Sequence, residues 1–131
     1  MPKNTAVGPK RFWKSFWYAA QGLRQAFRTE MNMKVHTCLA AAVLLFAALL
    51  HVSPGDWLLL LLAITLVLAA ELINTAIESV VDLVSPEVHP LAKAAKDTAA
   101  GAVFLAAAFA VIAGIYVFYH PVIDWITALM S

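Results

Sequence analysis

The sequence predicts an all-α integral membrane protein, with an N-terminal amphipathic surface helix followed by three transmembrane helices. Two observations carry this reading. Of 131 residues, 63% are hydrophobic and 13% charged, about half the charged share of an ordinary soluble domain, and mean hydropathy is +0.81. A soluble domain this small must cover a large surface with polar groups, and this chain has too few. The apolar residues also gather into long runs of the length a bilayer core of roughly 30 Å requires. An ordinary soluble globule and a disordered chain are both excluded. Residues 1–131 make one membrane domain.

Residues 1–9 hold Pro2, Gly8 and Pro9 and little that can pack; they read as a flexible tail. A cleaved signal peptide is not expected, because the first long apolar run starts near Val35. Residues 10–34 alternate basic and aromatic groups, among them Lys10, Arg11, Trp13, Lys14, Trp17, Tyr18, Arg24 and Arg28. Phe12, Phe16, Ala19, Leu23 and Phe27 recur at helical three- and four-residue steps. This pattern predicts a helix lying in the membrane interface, aromatic rings at headgroup depth and basic groups toward phosphates. A basic helix bound to nucleic acid would share the pattern, but the rest of the chain belongs in lipid.

Residues 35–52 form the first span, with His36 its strongly polar residue. Cys38, the single cysteine, forbids an intrachain disulfide and reads as a small buried hydrophobe. Ser53-Pro54-Gly55-Asp56 is a turn. The second span, 57–84, opens as Leu, Ile, Ala and Val, then gains Glu71, Asn74, Glu78 and Asp82. Ser85-Pro86 ends it, and 85–97 reads as a polar connection. The third span, 98–119, is Ala-rich, and Gly101 and Gly114 suggest close helix approach. His120-Pro121 is expected to break it, leaving 122–131 as a short surface segment.

Seven of the nine Lys and Arg residues precede residue 35, and the other two, Lys93 and Lys96, lie in the 85–97 connection. By the positive-inside rule the N-terminus and that connection face the cytoplasm, placing the chain in the cytoplasmic membrane.

Helical geometry decides whether the polar residues of the second span act together. At about 100° per residue, Asn74, Glu78 and Asp82 lie about −60°, −20° and +20° from Glu71, so all four share one stripe. A carboxylate near mid-membrane costs on the order of 3 kcal/mol, which packing alone does not require. A polar seam fixing helix register is the structural alternative. Two carboxylates with an Asn between them make a good hard-cation site, and Mg²⁺ completes its shell with waters and phosphates. Lys96 and Asp97 stand at the mouth of the third span, and Glu30 at the rim before the first. There is no phosphate-binding loop or kinase catalytic loop of soluble type. Composition and spacing do not separate a membrane enzyme from a proton or cation conductor.

The stretch Glu71-Leu72-Ile73-Asn74-Thr75-Ala76-Ile77-Glu78-Ser79-Val80-Val81-Asp82 resembles the signature of the prokaryotic diacylglycerol kinase family. The resemblance covers residues 10 to 119. Arg28-Thr29-Glu30-Met31-Asn32-Met33-Lys34-Val35-His36 and the run from His89 to Val103 look like its Gram-positive branch, associated with undecaprenol as acceptor. The resemblance implies that Glu71 is the base for the lipid hydroxyl, that Asn74 positions the reacting groups, and that Glu30 and Glu78 hold Mg²⁺ on ATP. Arg11, Tyr18, Glu87, Val88, His89, Lys96 and Asp97 would line the nucleotide site. It also implies a homotrimer with shared sites, a membrane lipid alcohol as substrate, and no nucleic-acid partner. Val35 departs from diacylglycerol-specific members, which carry a polar lipid-contacting residue there. The segment after Tyr119 extends beyond the family core.

Overall fold

The computed structural model describes residues 9–131. It is all helix in four pieces, α1 (Pro9–Thr29), α2 (Met31–Leu49), α3 (Pro54–Val84) and α4 (Pro90–Met130). The last three are long and apolar enough to cross a membrane. The tail expected at 1–9 lies, apart from Pro9, outside the described residues. Pro9 itself is helical, at the first position, where its missing N–H costs nothing.

α1 is exposed almost throughout, with Ala26 as its buried residue. Phe12, Trp13, Phe16, Trp17 and Tyr18 all point outward, and Phe12 and Phe16 stack edge to face at 5.1 Å. Such a surface suits headgroups better than water. The surface helix was expected to reach residue 34, but it ends at Thr29. Glu30 is extended (φ −96°, ψ 120°) and α2 starts at once. A carboxylate before the first turn of a helix is favoured by the partial positive charge of that end. Neither Pro nor Gly marks the break.

α2 stops at Leu49, three residues before the expected end of the first span. His51 takes a positive φ of 51°, and Val52 N–H bonds back to the Ala47 carbonyl at 3.3 Å. α3 then begins within the expected turn. Ser53 Oγ accepts from Asp56 N–H at 3.2 Å and donates to Asp56 Oδ2 at 2.7 Å, a reciprocal cap, with Pro54 at the first helical position.

The connection expected at 85–97 shrinks to 85–89. His89 caps α4, its Nδ1 accepting from Leu91 N–H at 3.2 Å, and Lys93 pairs with Asp97 one turn on. The charges read as a polar loop are the first turns of a helix.

The expected break at His120-Pro121 does not occur. α4 runs through Pro121 to Met130, so residues 122–131 are not a separate segment. A proline removes one ladder bond, to the carbonyl of Val117, and membrane helices tolerate that loss where neighbours and local adjustment re-satisfy the carbonyl. Pro121→Ala returns an N–H to the ladder, and is expected to raise the thermal midpoint in detergent. A fall would mean that Pro121 shapes a contact the straight helix spoils.

α3 is the central helix, packing most extensively along α4 and next against α2. Leu60, Ala47, Val52 and Val117 form a core, with Trp57 and Phe118 against it. Within the chain, neither glycine is at a close helix contact: a Cβ on Gly101 or Gly114 would meet nothing within 4 Å. Small contacts are made instead by Ala63, Ala99 and Ala113, each buried. Cys38, expected inside, is exposed on α2. The outward faces are apolar, Leu39, Leu58, Leu66, Phe104 and Ile112 among them, as helices in lipid or against further copies require.

Candidate active site

The buried face of α3 changes character along its length. Leu60, Ala63, Val67, Glu71 and Asn74 are its buried residues, and their three- and four-residue steps keep them on one face. Glu71 is 3% exposed and Asn74 8%. Asn74 Nδ2 donates to Glu78 Oε1 at 3.1 Å, so these two are tied across one turn. Glu71 Oε1 and Asn74 Oδ1 are buried and accept no well-formed hydrogen bond. Buried polar atoms are ordinarily paired. Two unpaired acceptors on adjacent turns form a place for an incoming O–H donor or a cation.

Glu30, in the joint between α1 and α2, is half-buried. Thr29 Oγ1 donates to its Oε1 at 3.1 Å. Among the described residues no three His, Cys, Asp or Glu side chains converge as a metal cage. Mg²⁺ does not need one, because it is bound through one or two carboxylates plus waters and substrate phosphates. Glu30, Glu78 and the unpaired Asn74 oxygen fit that donor set.

A cleft of about 350 Å³ lies beside the acidic end. α2 gives it Leu39 and Val43, α3 gives Ala63 and Val67, and α4 gives Val111 and Gly114. His36 is the one polar side chain on its wall among the described residues. Nε2 of His36 is 3.1 Å from Glu71 Oε1. A hydrocarbon chain seated in this cleft would bring its polar end to Glu71.

The remaining expected site residues are more dispersed. Arg11 and Tyr18 lie exposed on α1. Glu87, Val88 and His89 stand on the open 85–89 connection, Val88 wholly exposed. Lys96 is held by Asp82 across the α3–α4 gap, and Asp97 by Lys93. The structure therefore ties Asn74 to Glu78 and sets both on the face of α3 that carries Glu71, with Glu30 in the α1–α2 joint, Arg11 and Tyr18 on α1, and the others at or just after the α3–α4 connection. Two residues outside the expected set belong to this neighbourhood. Asp82 holds Lys96, and its place in the polar stripe was the signal. His36 touches Glu71, and an ionisable residue inside a span is itself such a signal.

The family follows from comparison with known sequences. The family model of prokaryotic diacylglycerol kinase matches residues 17–118. The chain belongs to this family. A prokaryotic diacylglycerol kinase is a lipid kinase of the membrane, and the three apolar helices agree with that setting. The chain is 45% identical over 108 residues to an undecaprenol kinase of Bacillus subtilis, covering 82% of this chain and 88% of that protein. It is 52% identical over 101 residues to a diacylglycerol kinase of Synechocystis, covering 76% of this chain and 58% of that protein. A diacylglycerol kinase of Escherichia coli is 34% identical over 109 residues, covering 83% and 89%. Within the family match lie Glu30, Glu71, Asn74, Glu78, Lys96 and Asp97. Arg11 and the end of α4 fall outside it.

Proposed function

We propose that the protein transfers the γ-phosphoryl group of ATP to a membrane lipid alcohol, undecaprenol in the first place, with Mg²⁺ as cofactor. The observation that carries this is the pair of buried, unpaired acceptors Glu71 Oε1 and Asn74 Oδ1, set where an apolar cleft meets a carboxylate cluster. Glu71 takes the proton of the lipid hydroxyl as its oxygen attacks the γ-phosphorus. The bond from that phosphorus to the β,γ-bridging oxygen breaks, and ADP departs. Glu30 and Glu78 would hold Mg²⁺, which would neutralise phosphate charge. Phosphoryl transfer needs in-line positioning and charge neutralisation more than covalent help. Asn74 supplies positioning, since its amide already fixes Glu78.

Arg11, Tyr18, Glu87, Val88, His89, Lys96 and Asp97 serve the nucleotide. Lys96 exchanges Asp82 for a phosphate in this role. A homotrimer, with neighbouring copies completing the site, would bring these dispersed residues to one nucleotide. The N-terminus and the 85–89 connection face the cytoplasm, where ATP is, in the cytoplasmic membrane.

Undecaprenol is favoured by Val35, which is 48% exposed on α2 beside His36. Diacylglycerol presents two ester carbonyls near its hydroxyl, and a site selecting it would hydrogen-bond them. Val35 gives no such bond, while the exposed Met31 offers adaptable apolar contact. The likeness to the Synechocystis diacylglycerol kinase keeps diacylglycerol as the second reading. The test is kcat/KM for both lipids in the same mixed micelles with purified protein. Undecaprenol is expected to be preferred, and Val35→Gln to move selectivity toward diacylglycerol. A clear preference of the unaltered protein for diacylglycerol would replace the first reading by the second. Ion flux without lipid product would make the protein a conductor instead.

A further inference from the structure

The imidazole of His36 stands between two parts of the site that have been described separately. It lines the apolar cleft, and its Nε2 is 3.1 Å from Glu71 Oε1. Its own side chain is 24% exposed, whereas that of Glu71 is 3% exposed. The neighbours of Glu71 on α3 are occupied elsewhere. The Asn74 amide donates to Glu78 at 3.1 Å, and the Thr75 hydroxyl donates to the Glu71 main-chain oxygen at 2.9 Å. Among the described residues, the side chain in polar contact with the Glu71 carboxylate is His36 on α2. A glutamate has three rotatable bonds, and a base that swings loses its alignment with the hydroxyl. The contact from His36 confines the carboxylate at Oε1, and because an ionised carboxylate offers two oxygens and about four lone-pair sites, acceptance of the incoming proton stays open.

We propose that His36 is a positioning residue for Glu71, holding the carboxylate toward the cleft from the neighbouring helix. This rests on the reading of Glu71 as the base of a lipid kinase. Misplacement of a reacting group by about 1 Å costs on the order of 10²-fold in rate. His36→Leu is therefore expected to lower kcat by at least about tenfold, with KM for ATP unchanged. His36→Gln, whose amide N–H reaches about as far as Nε2, is expected to recover most of the loss, and His36→Asn, one bond shorter, is not. In a Glu71→Asp background the carboxylate is already withdrawn from α2, so His36→Leu should add less than about a twofold loss.

The measurements are steady-state kinetics with both lipids, and thermal midpoints in the same detergent. Turnover of His36→Leu within about twofold of the unaltered protein overturns the inference. So does a full multiplicative loss in the Glu71→Asp background, or failure of His36→Gln to recover turnover at an unchanged thermal midpoint. If His36→Leu does not fold, the contrast between Gln and Asn decides. Phosphorylation of neither lipid by the unaltered protein overturns the kinase reading itself, and this inference with it.

Discussion

Glu71→Gln is expected to reduce turnover by about 10²–10⁴-fold, the usual cost of removing a general base. The substitution keeps the shape of a side chain that is 3% exposed, so cavity and packing effects are small. It removes the proton acceptor and turns Oε1, now unpaired, into an amide. Mg-ATP binding should persist, because Glu30 and Glu78 remain. Turnover measured beside nucleotide binding separates the two. More than about a tenth of the original turnover would remove Glu71 from the role of base.

The second large effect concerns the metal. Glu30→Gln and Glu78→Gln are each expected to raise the Mg²⁺ requirement and lower turnover, and the double variant should lose little more than the worse single. Residues serving one ion act as a unit, so their losses do not multiply. Glu78 is already oriented by Asn74. Mg²⁺ titrations of the three variants check this. A double variant whose loss is the product of the two singles would assign the carboxylates to separate tasks.

The acidic stripe was legible in the sequence because helical periodicity is a strong constraint once a span is recognised. Glu71, Asn74, Glu78 and Asp82 fall on one face whatever the tertiary context. The three spans were legible for the same kind of reason, since lipid demands continuous apolar helix. Their ends were less so. Pro121 would break a soluble helix, and α4 absorbs it. Lys93, Lys96 and Asp97 have the charge of a loop, although a helix leaving the bilayer carries charge as readily. The joint at Glu30 has no local punctuation, and its position depends on how α1 and α2 share a neighbour in α3. Burial was harder still. Cys38 and the glycines of α4 were assigned by residue type, but which face of a helix is covered depends on its partners. The contact of His36 with Glu71 joins residues thirty-five apart in sequence, and periodicity within one helix carries no information about it.

Water bears on the same cleft. An activated γ-phosphate beside a base will take a proton-bearing oxygen from any source, and a stray water would consume nucleotide and leave the lipid untouched. The two acceptors present the same O–H to Glu71, so recognition of the reacting group cannot tell them apart. Wetting can. A held water wants two to four polar partners, and the walls of the cleft of about 350 Å³ offer one, His36. Apolar cavities of that kind stay dry, and hydrocarbon enters without having to displace anything bound. On the proposed reaction, the coupling of ATP consumption to lipid phosphorylation is thus set by apolar walls that begin beside the acids performing the transfer.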